Sequence, residues 1–299
     1  MMRRFPPVSS GVALCRALFG VLAILLSCAR ADLPDALLLC AGSNELSVRD
    51  ATTGAKLWRW SGADAEGLEA DERRRFDHLD ECKPLDGGKR ILISASNSGC
   101  ALLEYPSGRI VWKASATNAH SLELLPRDRV VVASSLSGDK LVLFDLKGGA
   151  QPVWKTPLHS AHGVVWDAQR SVLWALGFDE LRRYTLADWD TDHPSLALKA
   201  THPLPAEDGH DLLAVPESAN LLVTTETGVF LFDRERGEFR KHPTLGEMAK
   251  LKSVDIHPTT KRTVFGAWSA KLEFLDPAGV LTLKDAHPYK TRWFPGPQP

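Results

Sequence analysis

Residues 119–126 read AHSLELLP, and five further segments of the chain follow the same pattern. They are DHLDECKP (77–84), AHGVVWDA (161–168), GHDLLAVP (209–216), LKSVDIHP (251–258) and PYKTRWFP (288–295). The register of the alignment rests on the proline that ends most of these segments. The second position holds His78, His120, His162, His210, Lys252 and Tyr289. One polar side chain at the same point of each repeat predicts a ring of such side chains.

The spacing of the repeat predicts its structure. Consecutive members of the set are 42, 42, 48, 42 and 37 residues apart. Between them lie short apolar runs separated by Gly, Asp, Asn and Ser, such as RVVVASS (129–135) and LVLFDLKGG (141–149). Runs of this kind are typical of β-strands that end in turns. Four strands in a unit of about 40 residues predict one blade of a β-propeller.

The two ends of the chain complete one blade together. The segment 35–62 contains only three strand signals, and the C-terminal YKTRWFP (289–295) supplies the missing innermost strand. We therefore expect an all-β fold, a six-bladed β-propeller whose first blade is closed by the C-terminal strand, as a single domain over residues 32–299. Two stacked antiparallel sheets are the alternative, but the even spacing and the terminal strand argue against them.

The first 31 residues have the pattern of an export signal. Arg3 and Arg4 precede an apolar run, ALFGVLAILLS (17–27), and the small residues ARA (29–31) follow it. This order predicts a signal peptide over residues 1–31. The run is shorter than the roughly 20 residues that cross a bilayer, so we expect an exported protein, periplasmic or secreted, with no transmembrane span in the mature chain. The segment LLSC (25–28) also resembles a lipobox, and a lipid anchor on Cys28 is the alternative.

Composition excludes some classes of function. The chain has 36 lysines and arginines and 37 aspartates and glutamates, and four of the arginines lie in the leader. The remaining chain is therefore acidic and lacks the basic surface expected of a nucleic-acid-binding protein. After the leader only Cys40, Cys82 and Cys100 remain, and their apolar surroundings predict buried free thiols rather than a disulfide framework.

The aligned side chains predict a site at the mouth of the central channel, because each stands where the chain enters an innermost strand. His120, His162 and His210 have the residue type that binds one divalent metal ion. His162, His210 and Tyr289 are candidates for catalytic proton transfer to and from a substrate. A carboxylate or phosphate of a ligand would bind Lys252, Lys290 and Arg292.

The acids beside these residues have more than one interpretation. Glu123 and Asp167 lie on innermost strands and are candidates to orient the ring histidines, but solvated surface positions explain them equally well. The histidines themselves would be structural if they bonded to aspartates in neighbouring turns, as in propellers of the WD type. Candidate partners are Asp139 for His120 and Asp179 for His162.

Several segments resemble a known family. NAHSLELLP (118–126), SAHGVVWD (160–167), DGHDLLAVP (208–216), KSVDIHP (252–258) and YKTRW (289–293) are similar to successive blades of an uncharacterised family of exported bacterial six-bladed propellers. The likeness covers residues 76–293, although the segment around His78 departs from the family pattern. It implies the fold, export and a set of motif residues, but no reaction. Those residues are His120, Glu123, His162, Asp167, His210, Asp211, Lys252, Tyr289, Lys290 and Arg292. More distantly, the arrangement is similar to propeller-fold polysaccharide lyases that place histidines in the channel.

Two functional hypotheses follow. In the first, a monomeric protein binds a small anionic or saccharide ligand through Lys252, Lys290, Arg292, Glu123 and Asp211, with one divalent metal ion as the candidate cofactor and eliminative or hydrolytic proton transfer as the candidate chemistry. In the second, the propeller is a non-catalytic module that binds another protein or senses a ligand, and the histidines are structural.

Overall fold

The computed structural model describes residues 1–2 and 35–296. The described residues form 24 β-strands in six four-stranded antiparallel sheets, which confirms the prediction of a six-bladed β-propeller. The predicted signal peptide and Cys28 of the predicted lipobox lie outside the described residues. Among the described helices, none is long and apolar enough to cross a membrane.

Each blade begins at the channel with its innermost strand and continues outward. Blade 1 contains β24 (Lys290–Phe294), β1 (Ala36–Cys40), β2 (Glu45–Asp50) and β3 (Lys56–Ser61). Blade 2 contains β4 (Leu79–Leu85), β5 (Arg90–Ala95), β6 (Gly99–Glu104) and β7 (Ile110–Ser115). Blade 3 contains β8 (Ala119–Leu125), β9 (Arg129–Ser134), β10 (Lys140–Asp145) and β11 (Pro152–Pro157).

The other three blades have the same order. Blade 4 contains β12 (Gly163–Asp167), β13 (Val172–Leu176), β14 (Glu180–Ala187) and β15 (Ser195–Pro203). Blade 5 contains β16 (Asp211–Ala214), β17 (Asn220–Thr224), β18 (Val229–Asp233) and β19 (Glu238–Lys241). Blade 6 contains β20 (Ser253–Ile256), β21 (Thr263–Gly266), β22 (Lys271–Leu275) and β23 (Gly279–Thr282). One short helix, α1 (Ala70–Arg73), lies between blades 1 and 2.

The ring closes through the C-terminal strand, as the sequence predicts. β24 pairs antiparallel with β1, with Lys290 opposite Cys40 and Phe294 opposite Ala36. The innermost strands contact one another in the cyclic order β24, β4, β8, β12, β16, β20 and back to β24. The channel is therefore lined by one strand from each blade.

The core consists of six apolar clusters, one between each pair of neighbouring blades. β1 shows how one strand serves two of them. Leu38 and Cys40 pack against blade 2, whereas Leu37 and Leu39 pack against Val264 of blade 6. Since successive side chains of a strand point to opposite faces, a strand buried on both faces is apolar at every position. This explains the uninterrupted run ALLLC.

Tryptophans on outer strands connect neighbouring blades. Trp58 Nε1 donates to the carbonyl of Pro106 in blade 2 at 2.7 Å, and Trp112 Nε1 donates to the carbonyl of Gly149 in blade 3 at 3.0 Å. Trp154 packs against the apolar cluster between blades 3 and 4. The indole rings thus contribute apolar contacts between blades, and the N–H groups of Trp58 and Trp112 are hydrogen-bonded.

Cys40, Cys82 and Cys100 are buried free thiols, as predicted. Burial raises the pKa of Cys100 to about 12, so this thiol stays protonated. It therefore behaves as a small apolar side chain of the core.

The closing strand predicts where the fold is most sensitive. Trp293 on β24 is 4% exposed and packs in the cluster between blades 6 and 1. Trp293→Ala should lower the free energy of unfolding in urea by about 3–5 kcal/mol, because it leaves a cavity at the closure of the ring. Trp268→Ala, at a side chain that is 53% exposed, is the matched control and should change it by less than about 1 kcal/mol. Equal effects of the two substitutions would contradict this account of the closure.

Candidate functional site

The channel-facing residues of blade 2 are displaced by two positions from the sequence alignment. Leu79 pairs with Ala95 and Glu81 with Ser94, so Asp80 is an extra residue at a bulge. The same bulge in blade 3 is occupied by His120, with Ala119 opposite Ser134 and Ser121 opposite Ala133. Asp80 is therefore the counterpart of His120.

His78, which the alignment placed in the ring, is exposed, and its Nδ1 contacts the carbonyl of Gly42 at 3.1 Å. The position equivalent to His120 therefore belongs to Asp80, and His78 is the member that the family pattern had already set apart. The prolines were a misleading guide, because Pro84 lies inside β4 whereas Pro126 follows β8.

With this register, three layers of six residues line the channel, and Gly163 is the one member without a side chain. The upper layer, at the mouth, contains Tyr289, Asp80, His120, His162, His210 and Lys252. The middle layer contains Lys290, Glu81, Ser121, Gly163, Asp211 and Ser253. The lower layer contains Arg292, Lys83, Glu123, Val165, Leu213 and Asp255. The strand pairings define the layers of blades 2 and 3, and a shared cavity places the six lower residues together.

The histidines of the upper layer lie against one another. The ring centroids of His120 and His162 are 4.4 Å apart, and those of His162 and His210 are 5.7 Å apart. His162 Nδ1 lies 2.9 Å from the carbonyl of Ser160, and His120 Nδ1 lies 3.3 Å from that of Asn118. Because a carbonyl only accepts, each Nδ1 carries the proton and the neutral ring presents Nε2 as an acceptor.

Burial keeps these rings neutral. It lowers the pKa of His120 to about 4 and that of His162 well below its ordinary value, and in His162 the neighbouring His120 adds to the effect. Burial, followed by the charge of Lys252, also lowers the pKa of His210. The cause is that a low-dielectric surrounding disfavours the imidazolium.

Lys252 is the cation of the mouth. Its Nζ lies 2.7 Å from His210 Nε2, and burial lowers the pKa of its ammonium. Within the described residues no carboxylate lies within 4.0 Å of Lys252, whereas the exposed Lys250 pairs with Glu226 at 3.2 Å. Lys252 is thus a half-buried ammonium with a histidine neighbour and no ion pair.

An aromatic pair forms one wall of the mouth. Tyr289 is 6% exposed, and burial raises the pKa of its phenol well above the ordinary value. The ring of Trp268 stands edge to face on Tyr289, with centroids 5.2 Å apart, and is itself exposed. Its indole also covers Gly42, where an added Cβ would come within 2.7 Å of Trp268 Nε1. Sequence reasoning missed Trp268, although a tryptophan in the loop between second and third strands was a usable signal.

The middle and lower layers are connected by a buried ion-pair network. Arg292 donates to both oxygens of Glu81 at 3.0–3.1 Å and to both oxygens of Asp211 at 2.8–2.9 Å. Lys290 Nζ lies 2.9 Å from Asp211 Oδ1 and 2.7 Å from the carbonyl of His210. Burial alone would raise the pKa of Asp211, but Arg292 and Lys290 lower it well below its usual range.

The network gives Lys290, Arg292 and Asp211 partners inside the protein. Their predicted role in ligand binding stays a prediction, and the unpaired Lys252 is the stronger candidate for anion binding. Glu81, which the sequence did not single out, belongs to this network because of the shifted register of β4.

Two acids of the family motif lie away from the histidines. Glu123 pairs with Lys83 at 2.9 Å in the lower layer. Asp167 ends β12 and pairs with Arg234 at 2.6 Å and Arg170 at 3.2 Å, which joins blades 4 and 5. Neither acid contacts a ring histidine among the described hydrogen bonds.

The histidine–aspartate hydrogen bonds expected of WD-type propellers are not among the described hydrogen bonds of His120 and His162. Asp139 accepts from the backbone N–H of Ser160 at 2.7 Å, and Asp179 is exposed. His162 Nδ1 lies 3.2 Å from the hydroxyls of Ser135 and Ser160. Among the described residues, His120 and His162 are therefore oriented by backbone carbonyls of their own loops, and Ser135 of blade 3 adds a hydroxyl beside His162.

A group of metal-ligating side chains lies at the rim. The group consists of Asp208, His210 and Glu226. Each contributes one ligating atom, and the three atoms lie within 4.8 Å of one another. Both carboxylates approach His210 Nε2 at 3.5 Å. Of the three histidines predicted to bind a metal ion, this group includes only His210, and Lys252 already lies against the same nitrogen.

Asp80 is a buried acid of the upper layer whose carboxyl group is only partly hydrogen-bonded. It is 5% exposed, its Oδ2 has no hydrogen-bond partner among the described residues, and burial raises its pKa to about 7. The folded protein thus holds this proton more tightly than the unfolded chain, where the pKa is near 3.8. Asp80 therefore lowers the free energy of unfolding as pH rises from about 4 through about 7.

Asp80→Asn removes this titration. Relative to the unsubstituted protein, its free energy of unfolding should rise by about 2–3 kcal/mol between pH 5 and pH 8, measured by urea denaturation. Asp77→Asn, at a less buried acid of the same segment, is the control for the loss of a carboxylate as such. If Asp80→Asn gave a pH-independent difference, the buried carboxyl would not have the raised pKa.

Comparison with known proteins places the chain in a family. No curated protein matches it. A family model matches residues 29–295, a range that contains all 24 strands of the propeller. The chain therefore belongs to the family described as "Family of unknown function (DUF6528)".

Proposed function

We propose that the channel mouth binds a small acidic saccharide, a sugar that carries a carboxylate. The observation that carries this proposal is Lys252, a half-buried ammonium with no carboxylate within 4.0 Å among the described residues. Asp208 and Glu226 act on this ammonium only from beyond ion-pair distance, so a ligand carboxylate would supply the direct partner that it lacks.

The neighbouring groups suit the rest of such a ligand. The Nε2 atoms of His120 and His162 are acceptors for sugar hydroxyls, since both Nδ1 atoms are held by backbone carbonyls. The exposed face of Trp268 offers an apolar surface for the C–H face of a pyranose ring. A carboxylate, hydroxyls and an apolar face occur together in uronic acids.

The test uses binding of uronate oligosaccharides, measured by calorimetry against neutral oligosaccharides of the same length. Galacturonate, glucuronate, mannuronate and guluronate oligomers form the panel. Lys252→Met should weaken binding at least about tenfold, because a charge-assisted contact is lost. Trp268→Ala should weaken it by a smaller factor.

The matched control is Lys250→Met, which removes a more exposed ammonium of the same loop and should leave the affinity unchanged. Two outcomes contradict the proposal: no member of the panel binds, or Lys252→Met binds as well as the unsubstituted protein.

The protonation states of His162 and Tyr289 argue against proton transfer by these two side chains, whereas Asp80, with a pKa of about 7, would suit it. A general acid or base works best when its pKa lies near the working pH. The pKa of His120 is about 4 and that of Tyr289 lies well above its ordinary value. The catalytic roles predicted for His162, His210 and Tyr289 are tested by incubating the protein with the same oligomers. Turnover that is lost in His162→Ala or His210→Ala would contradict a role limited to binding.

A divalent metal ion is the second candidate ligand, supported by the grouping of Asp208, His210 and Glu226. Lys252 competes with it, because the ammonium lies 2.7 Å from His210 Nε2. Lys252→Met should therefore strengthen Zn²⁺ or Ni²⁺ binding at least about tenfold in calorimetry, opposite to its effect on uronates. His210→Ala is the control and should abolish the gain. Tight 1:1 binding that Lys252→Met does not change would contradict the competition.

A further inference from the structure

The lower end of the channel contains a cavity of about 270 Å³. Each of the six innermost strands contributes to its lining. The lining residues are Lys83, Pro84, Leu85, Glu123, Val165, Leu212, Leu213, Ala214, Asp255 and Arg292. For scale, a cavity of about 150 Å³ is large enough to hold benzene. The space is thus sufficient for a small organic molecule.

The cavity is separate from the site at the mouth. Arg292 forms its inner end, and the guanidinium is bonded to Glu81 and Asp211 of the middle layer. Arg292 is 4% exposed and Asp211 is 1% exposed, so the ion-pair network fills the channel between the two ends. A ligand in the cavity would not contact Lys252 or the histidines.

The charges of the lining leave one acid, Asp255, without a direct ion-pair partner among the described residues. Burial raises the pKa of this carboxyl to about 6, against the charge of the more distant Arg292. Lys83 is paired with Glu123 at 2.9 Å and also donates to the carbonyl of Val164. Asp255 is 8% exposed and has no ion-pair partner within 4.0 Å among the described residues. Its oxygens accept only the backbone N–H groups of Trp293 at 2.6 Å and Ile256 at 2.9 Å. Each oxygen therefore keeps acceptor capacity for a further donor.

Apolar side chains cover the remainder. Val165 and Leu213 occupy the positions that hold charged residues in other blades, and Leu85, Pro84 and Ala214 extend the same surface. An apolar wall with few polar groups is typical of small-molecule sites, and the polar groups set the orientation of the ligand. We infer that this cavity binds a small organic ammonium ion, with its charged nitrogen on Asp255 and its hydrocarbon part against Val165 and Leu213.

The probe is n-butylammonium chloride, and the neutral and anionic comparators of similar size are 1-butanol and butyrate. Binding to the full chain is measured by calorimetry and ligand-observed NMR at ligand concentrations up to about 10 mM. Butylammonium should bind at least about tenfold more tightly than either comparator, because only it supplies a counter-ion for Asp255.

Substitutions test the charge and the space independently. Asp255→Asn should weaken butylammonium binding at least about tenfold, while Lys83→Met should strengthen it, since Glu123 then loses its cation. Ala214→Leu fills the cavity without changing its charge and should also weaken binding. If Asp255→Asn fails to fold, the result for Ala214→Leu decides the test. The control is Glu247→Gln, at an acid whose side chain is 83% exposed, and it should have no effect.

Three outcomes would overturn the inference. Butanol or butyrate binds as well as butylammonium, Ala214→Leu leaves the affinity unchanged, or butylammonium shows no binding at the highest concentration. None of them bears on uronate binding at the other end of the channel, where Lys252 and Trp268 are the tested residues.

Discussion

The rest of the channel depends on one interaction, the fork of Arg292 between Glu81 and Asp211. Six inner strands converge on the axis, and their channel-facing side chains can be polar only if each buried charge has a partner. A guanidinium meets this requirement for two carboxylates at once, because its planar N–H groups match a carboxylate in bidentate fashion. Here it joins the C-terminal strand to blade 2 and to blade 5 across the channel. The strand that closes the ring therefore also carries the cation at its centre.

The same network sets the conditions at both ends of the channel. Lys290 binds Asp211 and the carbonyl of His210, so it positions the residue that precedes β16 at the mouth. Because Arg292, Lys290, Glu81 and Asp211 satisfy one another, they leave little charge for either end. Lys252 above and Asp255 below lack an ion pair among the described residues, and they lie three residues apart around the start of β20. On this opposite polarity we base the proposal of a different ligand class for each end.

Much of the fold could be predicted from the sequence, because it depends on patterns within single blades and strands. The period of about 40 residues, the turn residues and the alternation within strands determined the blade count, and the deficit of one strand at the N-terminal end predicted closure by YKTRWFP. Burial of both faces of β1 appears directly as ALLLC. The upper-layer members His120, His162, His210, Lys252 and Tyr289 were found for the same reason, since each occupies one fixed place before or at the start of an inner strand.

The sequence did not predict the features that depend on strand register or on contacts between distant segments of the chain. The two-residue displacement of β4 replaces His78 by Asp80 and brings Glu81 into the network, and a proline at a familiar spacing gave no warning of it. The pattern of the other blades did contain a signal, because the residue two places after the histidine is Leu122, Val164 or Leu212, whereas blade 2 has Asp80 there. An acid at an alignment position that is apolar in the other blades indicates either a strained core or a shifted strand. In this structure the strand is shifted. The displaced register completes the Arg292 network, but it leaves Oδ2 of Asp80 without a hydrogen-bond partner. It thus places a titratable carboxyl beside the proposed ligand site.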